Sequence, residues 1–122
     1  MALHDRIKDM ANDIFNVLGY GNSEAVYQAA FLIALQDESL PFETERVIPV
    51  TYRNRQVGTI RADIIVDHEL VIELKSVPNP ESALADTIEQ CKMYMRYTNI
   101  GHGLVILFPR RPTHLLTEHV VL

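Results

Sequence analysis

The sequence is poor in several residue types that define whole classes of protein. It holds one cysteine, Cys91, and no tryptophan. A lone cysteine excludes an internal disulfide, a Cys-rich zinc site and a four-Cys iron–sulfur site. That usage fits a reducing, intracellular compartment. No apolar run reaches the ~18 residues that a membrane-spanning helix needs, so no membrane partner is expected. The opening Met1-Ala2-Leu3-His4-Asp5-Arg6 lacks the basic and apolar regions of a secretory signal. His4, His68, His102, His114 and His119 show neither H-x-x-x-H nor H-E-x-x-H spacing, and no G-x-x-x-x-G-K-[ST] loop is present. Those absences argue against a zinc hydrolase and an ATP site of that type.

What is present is ordinary globular material. The 122 residues are 48% hydrophobic and 22% charged, which predicts a single domain over 1–122 with its own core. The net charge of −5 argues against a nonspecific nucleic-acid coat. Residues 1–45 carry eight acids and two bases, whereas 46–122 carry eight acids and nine bases. A polyanion would meet its basic partners chiefly on the second segment.

Ile7, Met10, Ala11, Ile14 and Leu18 recur at helical steps and predict an amphipathic helix from about Leu3 to Leu18. Gly19-Tyr20-Gly21-Asn22 breaks it. Ser23 then suits an N-cap for a helix to about Asp37, with Glu24 in its first turn. Phe42–Arg53, Val57–Val66 and Leu70–Ser76 read as strands, with a tight turn at Asn54-Arg55. Pro49 assigns the first of these to an edge or a bulge. Glu81 to about Tyr97 is helical, Leu104–Phe108 reads as a strand covered on both faces, and Leu115–Leu122 as a last strand. The order ααβββαββ predicts an α/β fold with a mixed sheet flanked by helices.

The register of the second and third strands gathers charge. Ile60, Ala62, Ile64 and Val66 share one parity, as do Leu70, Ile72 and Leu74. A common apolar face requires Val66 opposite Leu70, with Asp67-His68-Glu69 as the turn. Asp63 then faces Glu73 and Arg61 faces Lys75, at about 4.5–5.5 Å between Cβ atoms. Two readings fit this charged face. One is a pair of carboxylates holding Mg²⁺, with a lysine for a phosphate oxygen or an attacking water. The other is a solvated face of paired charges.

Asp63, followed ten residues on by Glu73-Leu74-Lys75, resembles the D-x(n)-E-x-K core of the PD-(D/E)XK nuclease superfamily. Gly21-Asn22-Ser23-Glu24-Ala25-Val26-Tyr27 matches G-x-x-E-x-x-Y, the signature of the GxxExxY family within it. Gln90-Cys91-Lys92-Met93-Tyr94 resembles the Q-x-x-x-Y motif of RecB-like members. The similarity runs over roughly residues 14–120 and implies a restriction-endonuclease-like αβββαβ core.

The resemblance further implies a nuclease that hydrolyses DNA phosphodiester bonds with Mg²⁺ or Mn²⁺. Asp63 and Glu73 would bind the metal, with the Leu74 carbonyl as a further ligand and Glu24 approaching directly or through water. Lys75 would be the catalytic lysine, and Gln90 would hydrogen-bond near the site. Tyr94 would support the site or contact nucleic acid. Arg61, Lys92, Arg96, Arg110 and Arg111 are candidate phosphate contacts, with Arg53 and Arg55 beside them. So few bases on an acidic chain call for a homodimer, a partner protein or a structured substrate. An RNA-directed nuclease, or a nucleic-acid-binding or protein-interaction module with a vestigial site, are the alternatives. Cys91, on a core stripe, is expected to be a buried small hydrophobe.

Overall fold

A computed structural model describes residues 1–122. Its elements are α1 (Leu3–Leu18), α2 (Glu24–Asp37), β1 (Phe42–Tyr52), β2 (Arg55–Val66), β3 (Leu70–Val77), α3 (Pro80–Thr98), β4 (His102–Pro109) and β5 (Leu116–Val121). No helix is long and apolar enough to cross a membrane. The expected order of elements is the order found, with shifts of a residue or two at their ends. The first hairpin turn is Arg53-Asn54, not Asn54-Arg55: both residues have positive φ, and Tyr52 pairs with Arg55. Two left-handed residues give a two-residue turn the twist its strands require.

The five strands form one sheet in sequential order. Only β3 and β4 run parallel, joined by the α3 crossover. β1 is an edge strand with a register shift at Val50/Thr51, which is where Pro49 is tolerated. Val66 pairs with Leu70 across Asp67-His68-Glu69, as the shared parity requires. The Asp67 N–H is held by the Pro41 carbonyl at 2.8 Å.

Both sheet faces are covered. On one face Ile7, Met10, Ile14, Tyr27, Phe31 and Leu35 of α1 and α2 pack on Ile64, Ile72, Leu104 and Phe108. On the other, Cys91, Tyr94 and Met95 of α3 pack on Ile65, Val71, Val105 and Leu107. The charged parity of β3 is therefore not a solvated face, because α3 lies over it. Contact is close there: a Cβ on Gly103 would stand 2.6 Å from the Cys91 sulfur. Burial pushes the Cys91 thiol up to about 12, leaving an inert apolar group.

Tertiary structure also joins histidines that sequence spacing leaves apart. His102 Nδ1 lies 3.0 Å from His119 Nε2 on adjoining strands. The His4 ring of α1 stacks on His119 at 3.7 Å and 8°. One N–H···N bond needs one bare nitrogen, so it breaks when both rings are protonated. Burial, and then the neighbouring His4 and His102, hold the His119 pKa below 6.5, with Lys8 adding to them and Asp5 opposing. The folded chain thus binds this proton less tightly than the unfolded one. Its contribution to stability is present above pH 6.5 and is lost as the pH falls below that value. Amide exchange, corrected for intrinsic rate, should quicken in the first turn of α1 and in β5 between about pH 7 and about pH 5. His119→Phe keeps a stacked ring and should remove that dependence; equal wild-type protection at both pH values would contradict this account.

Candidate functional site

The site begins where a ladder stops. β2 and β3 pair only at Val66↔Leu70, Ile65↔Val71 and Ile64↔Ile72. On the other side of β2, the pairing with β1 skips Asp63 and Glu45, and Glu45 takes a positive φ of 51°. Core membership changes at the same point. Ile64 packs with α1 and α2, whereas Ala62 and Ile60 pack on the α3 side. Strict alternation would keep these residues on one face. β2 therefore turns at Asp63 and leaves β3. Asp63↔Glu73 and Arg61↔Lys75 are not ladder pairs, which corrects the simple register extrapolation. From Arg55 to Ala62, before that turn, β2 pairs with β1 alone.

The departure strips acceptors from one edge of β3. The Leu74 N–H donates to Asp63 Oδ2 at 3.2 Å. The Ser76 N–H, two residues on, points to the same side. It helps hold the Glu24 pKa down. Two of the sequence-predicted acids thus stand where a neighbouring strand would have supplied carbonyls.

Glu73 shares the α3 side with Val71 and is 2% exposed. Its Oε2 is buried without a hydrogen-bond partner. Burial, and then the adjacent Asp63 charge, push the Glu73 carboxyl up to about 9, against the opposing pull of Lys75. Asp63 is also raised, chiefly by burial, while the Leu74 N–H, the bond to Glu73 and Lys75 lower it. Two carboxyls held this way share one proton at neutral pH unless a cation lies between them. Lys75 is half-buried and belongs to none of the chain's ion pairs, so its ammonium remains free.

Glu24 is exposed in the first turn of α2, behind a Ser23 cap that accepts from the Val26 N–H. Burial of its carboxyl and the Asp63 charge raise its pKa, while Lys75, Ser76 and Arg110 lower it. It is a neighbour of the pair, yet no three His, Cys, Asp or Glu side chains form a ready ligand cluster. From the α3 side, Gln90 Nε2 donates to the Tyr94 hydroxyl at 2.9 Å. Tyr94 is 7% exposed, and the charges of Glu73 and Asp63 reach it.

The basic candidates do not all gather there. Arg110 acts on Glu24, and its backbone N–H donates to Val77. Arg111 lines a separate hollow with Asn79, Glu81 and His114. Lys92 contacts Glu89 at 3.7 Å and sits with Glu118 and His119 beside β5. Arg61 and Arg96 are exposed.

Two residues of this region, Ser76 and Tyr27, were not assigned a role in the site from the sequence. Ser76 is 4% exposed, and its hydroxyl donates to the Asn22 carbonyl at 2.7 Å. The Tyr27 hydroxyl donates to the Gly19 carbonyl at 2.6 Å and accepts from the Asn22 N–H. A hydroxyl at Ser76, continuing the apolar series Leu70, Ile72 and Leu74, is the signal that could have pointed there.

The donor set suits a hard divalent cation. Two carboxylates and the intervening Leu74 carbonyl are oxygen ligands of the type Mg²⁺ and Mn²⁺ accept. The unpartnered Glu73 Oε2 is the observation that such an ion would explain.

The PD-(D/E)XK nuclease superfamily model matches residues 1–118. No curated protein matches the sequence. Among solved structures, the crystal structure of SSO0001 superposes with a TM-score of 0.63 at 19% identity. The match covers 80% of this chain and 48% of that one, so this chain corresponds to about half of that protein. That similarity fits a restriction-endonuclease-like fold.

A buried carboxyl raised from 4.5 to about 9 has a definite pH signature. Its contribution to stability is fully present below pH 4.5 and is lost as the pH rises through about 9. Glu73→Gln removes the charge and keeps the shape. In chelator at about pH 8 it should raise stability by on the order of 2 kcal/mol, or ~5–10 °C in Tm. Thermal melts across pH test this; a variant no more stable than wild type at that pH would contradict the assignment.

Proposed function

Because the chain belongs to the PD-(D/E)XK nuclease superfamily, we propose that it is a divalent-metal-dependent nuclease hydrolysing DNA phosphodiester bonds, of the GxxExxY type. The observation that carries this reading is the buried, unpartnered Glu73 oxygen beside Asp63, with the unpaired Lys75 two residues on. A purely structural carboxylate pair would be paired by arginine or replaced by neutral groups, since an uncompensated buried charge is costly.

Asp63, Glu73 and the Leu74 carbonyl would hold the Mg²⁺ or Mn²⁺ ion in this reading, with Glu24 contributing directly or through water. When bound, the ion neutralises the two carboxylates and withdraws charge from the scissile phosphate. Lys75 places its ammonium where it can donate to a phosphate oxygen and hold an attacking water by hydrogen bonding. The leaving oxygen takes its proton from solvent. Gln90 fixes the Tyr94 hydroxyl, and that pair closes the α3 side of the site. After Lys75, Arg110 is the basic residue whose charge reaches Glu24, and it supplies a first phosphate contact. Arg61, Lys92, Arg96 and Arg111 lie outside this cluster and act on more distant phosphates. A second copy or a partner protein adds the grip that an acidic chain lacks.

A cleavage assay on single-stranded, duplex and branched DNA and on RNA tests this reading. Cleavage should require Mg²⁺ or Mn²⁺ and stop with chelator. Asp63→Ala and Lys75→Ala should each lower the rate by ~10²–10³-fold with folding retained. Preference for RNA would shift the substrate class. Tight metal-independent nucleic-acid binding without cleavage would replace the enzyme reading by a binding module.

A further inference from the structure

The turn that carries Glu24 is fastened to the sheet by three contacts and braced from within by a fourth. The Gly21 N–H donates to the Pro109 carbonyl at 3.0 Å, and Gly21 has a φ of 93°, which favours glycine. The Ser76 hydroxyl donates to the Asn22 carbonyl at 2.7 Å. The Tyr27 hydroxyl holds Gly19 and Asn22 from inside the helix. The Tyr27 ring stacks on Phe108 at 3.9 Å and 5°. These contacts bridge the ends of β3 and β4 to the start of α2, and the Ser76 bond spans 54 residues of sequence.

Ser76 acts on both sides of this junction. Its side chain holds the carbonyl two residues before Glu24, and its backbone N–H is among the groups that lower the Glu24 pKa. It also follows Lys75 directly, so one strand segment fixes the lysine and the acid relative to each other. We propose that Ser76 is a positioning residue that sets Glu24 over the Asp63–Glu73 pair by clamping the Asn22 carbonyl. The inference rests on the nuclease reading, because it treats Glu24 as part of a metal centre. The burial of Ser76 supports it: a hydroxyl with 4% exposure in an otherwise apolar series spends its one donor on this contact.

The role makes a prediction that a merely structural hydroxyl does not. Ser76→Ala should weaken Mn²⁺ uptake by roughly five-fold, the equilibrium value of one hydrogen bond. Glu24→Gln should weaken it too. If Ser76 acts through Glu24, the two effects should not add, and Ser76→Ala should have little effect in the Glu24→Gln background. Ser76→Thr, which restores a hydroxyl, should recover affinity. Mn²⁺ titration calorimetry on the full chain reads all four variants, with a melting curve to verify folding and amide exchange at Gly21 to follow the clamp. Additive losses, or unaltered Mn²⁺ affinity in folded Ser76→Ala alongside a weakened Glu24→Gln, would overturn the positioning role alone. No Mn²⁺ uptake by the wild-type chain, even with DNA present, would overturn the metal reading and this inference with it.

Discussion

A strand that loses a neighbour must find new acceptors for its N–H groups, and that requirement organises this molecule. β3 is the central strand, paired along its length with β4 but only briefly with β2. Where β2 turns away, Asp63 takes the Leu74 N–H, and the Ser76 N–H lowers the Glu24 pKa. Carboxylates oppose the departed edge because backbone donors left in a partly buried place need acceptors. The same exchange brings acids beside Glu73, which the uninterrupted ladder would have held as one cross-strand pair. The fold thus trades sheet hydrogen bonds for a cluster of negative charge.

The cluster is costly, and its surroundings reveal how the cost is limited. Glu73 is nearly inaccessible, lies under α3 and has an oxygen with no donor. A shared proton relieves it, and a divalent cation would relieve it more fully by serving both carboxylates. Lys75 moderates the field without being consumed by an ion pair. Two apolar cores hold this arrangement from both faces, one under α1 and α2 and the other under α3. The Gly19–Ser23 turn is tied to the far end of the sheet by Ser76, Tyr27 and Pro109. The elements supplying Glu24 and Glu73 therefore share a rigid frame, although α2 covers one sheet face and the Glu73 side chain lies on the other.

Much of the fold was legible because local chemistry and tertiary packing agree. The α1 stripe of Ile7, Met10, Ala11 and Ile14 is buried as its spacing requires. Leu104–Phe108 is wholly enclosed, and Pro49 sits on an edge strand. The parity argument placed Val66 opposite Leu70, and the ladder agrees. It overreached one step further along, at Asp63 and Arg61. Nothing in the alternation of Ile60, Ala62 and Ile64 signals that Ala62 changes cores. For the odd parity of β3 a solvated face stood open beside a metal site, because its charges outnumber Val71 and the overlying α3 cannot be read from β3 itself.

The amino-acid order alone determined the elements, the hairpin register next to Asp67-His68-Glu69 and the identities of Asp63, Glu73 and Lys75 as one chemical group. It could do so because helix and strand periods, turn residues and residue chemistry are local properties. Only the tertiary structure decided where β2 leaves β3, that Glu73 is buried with a free oxygen, that Ser76 clamps Asn22, and that His4, His102 and His119 meet. Each depends on chain segments far apart in sequence arriving at one place, where burial and neighbouring charge, rather than spacing, set what a side chain can do.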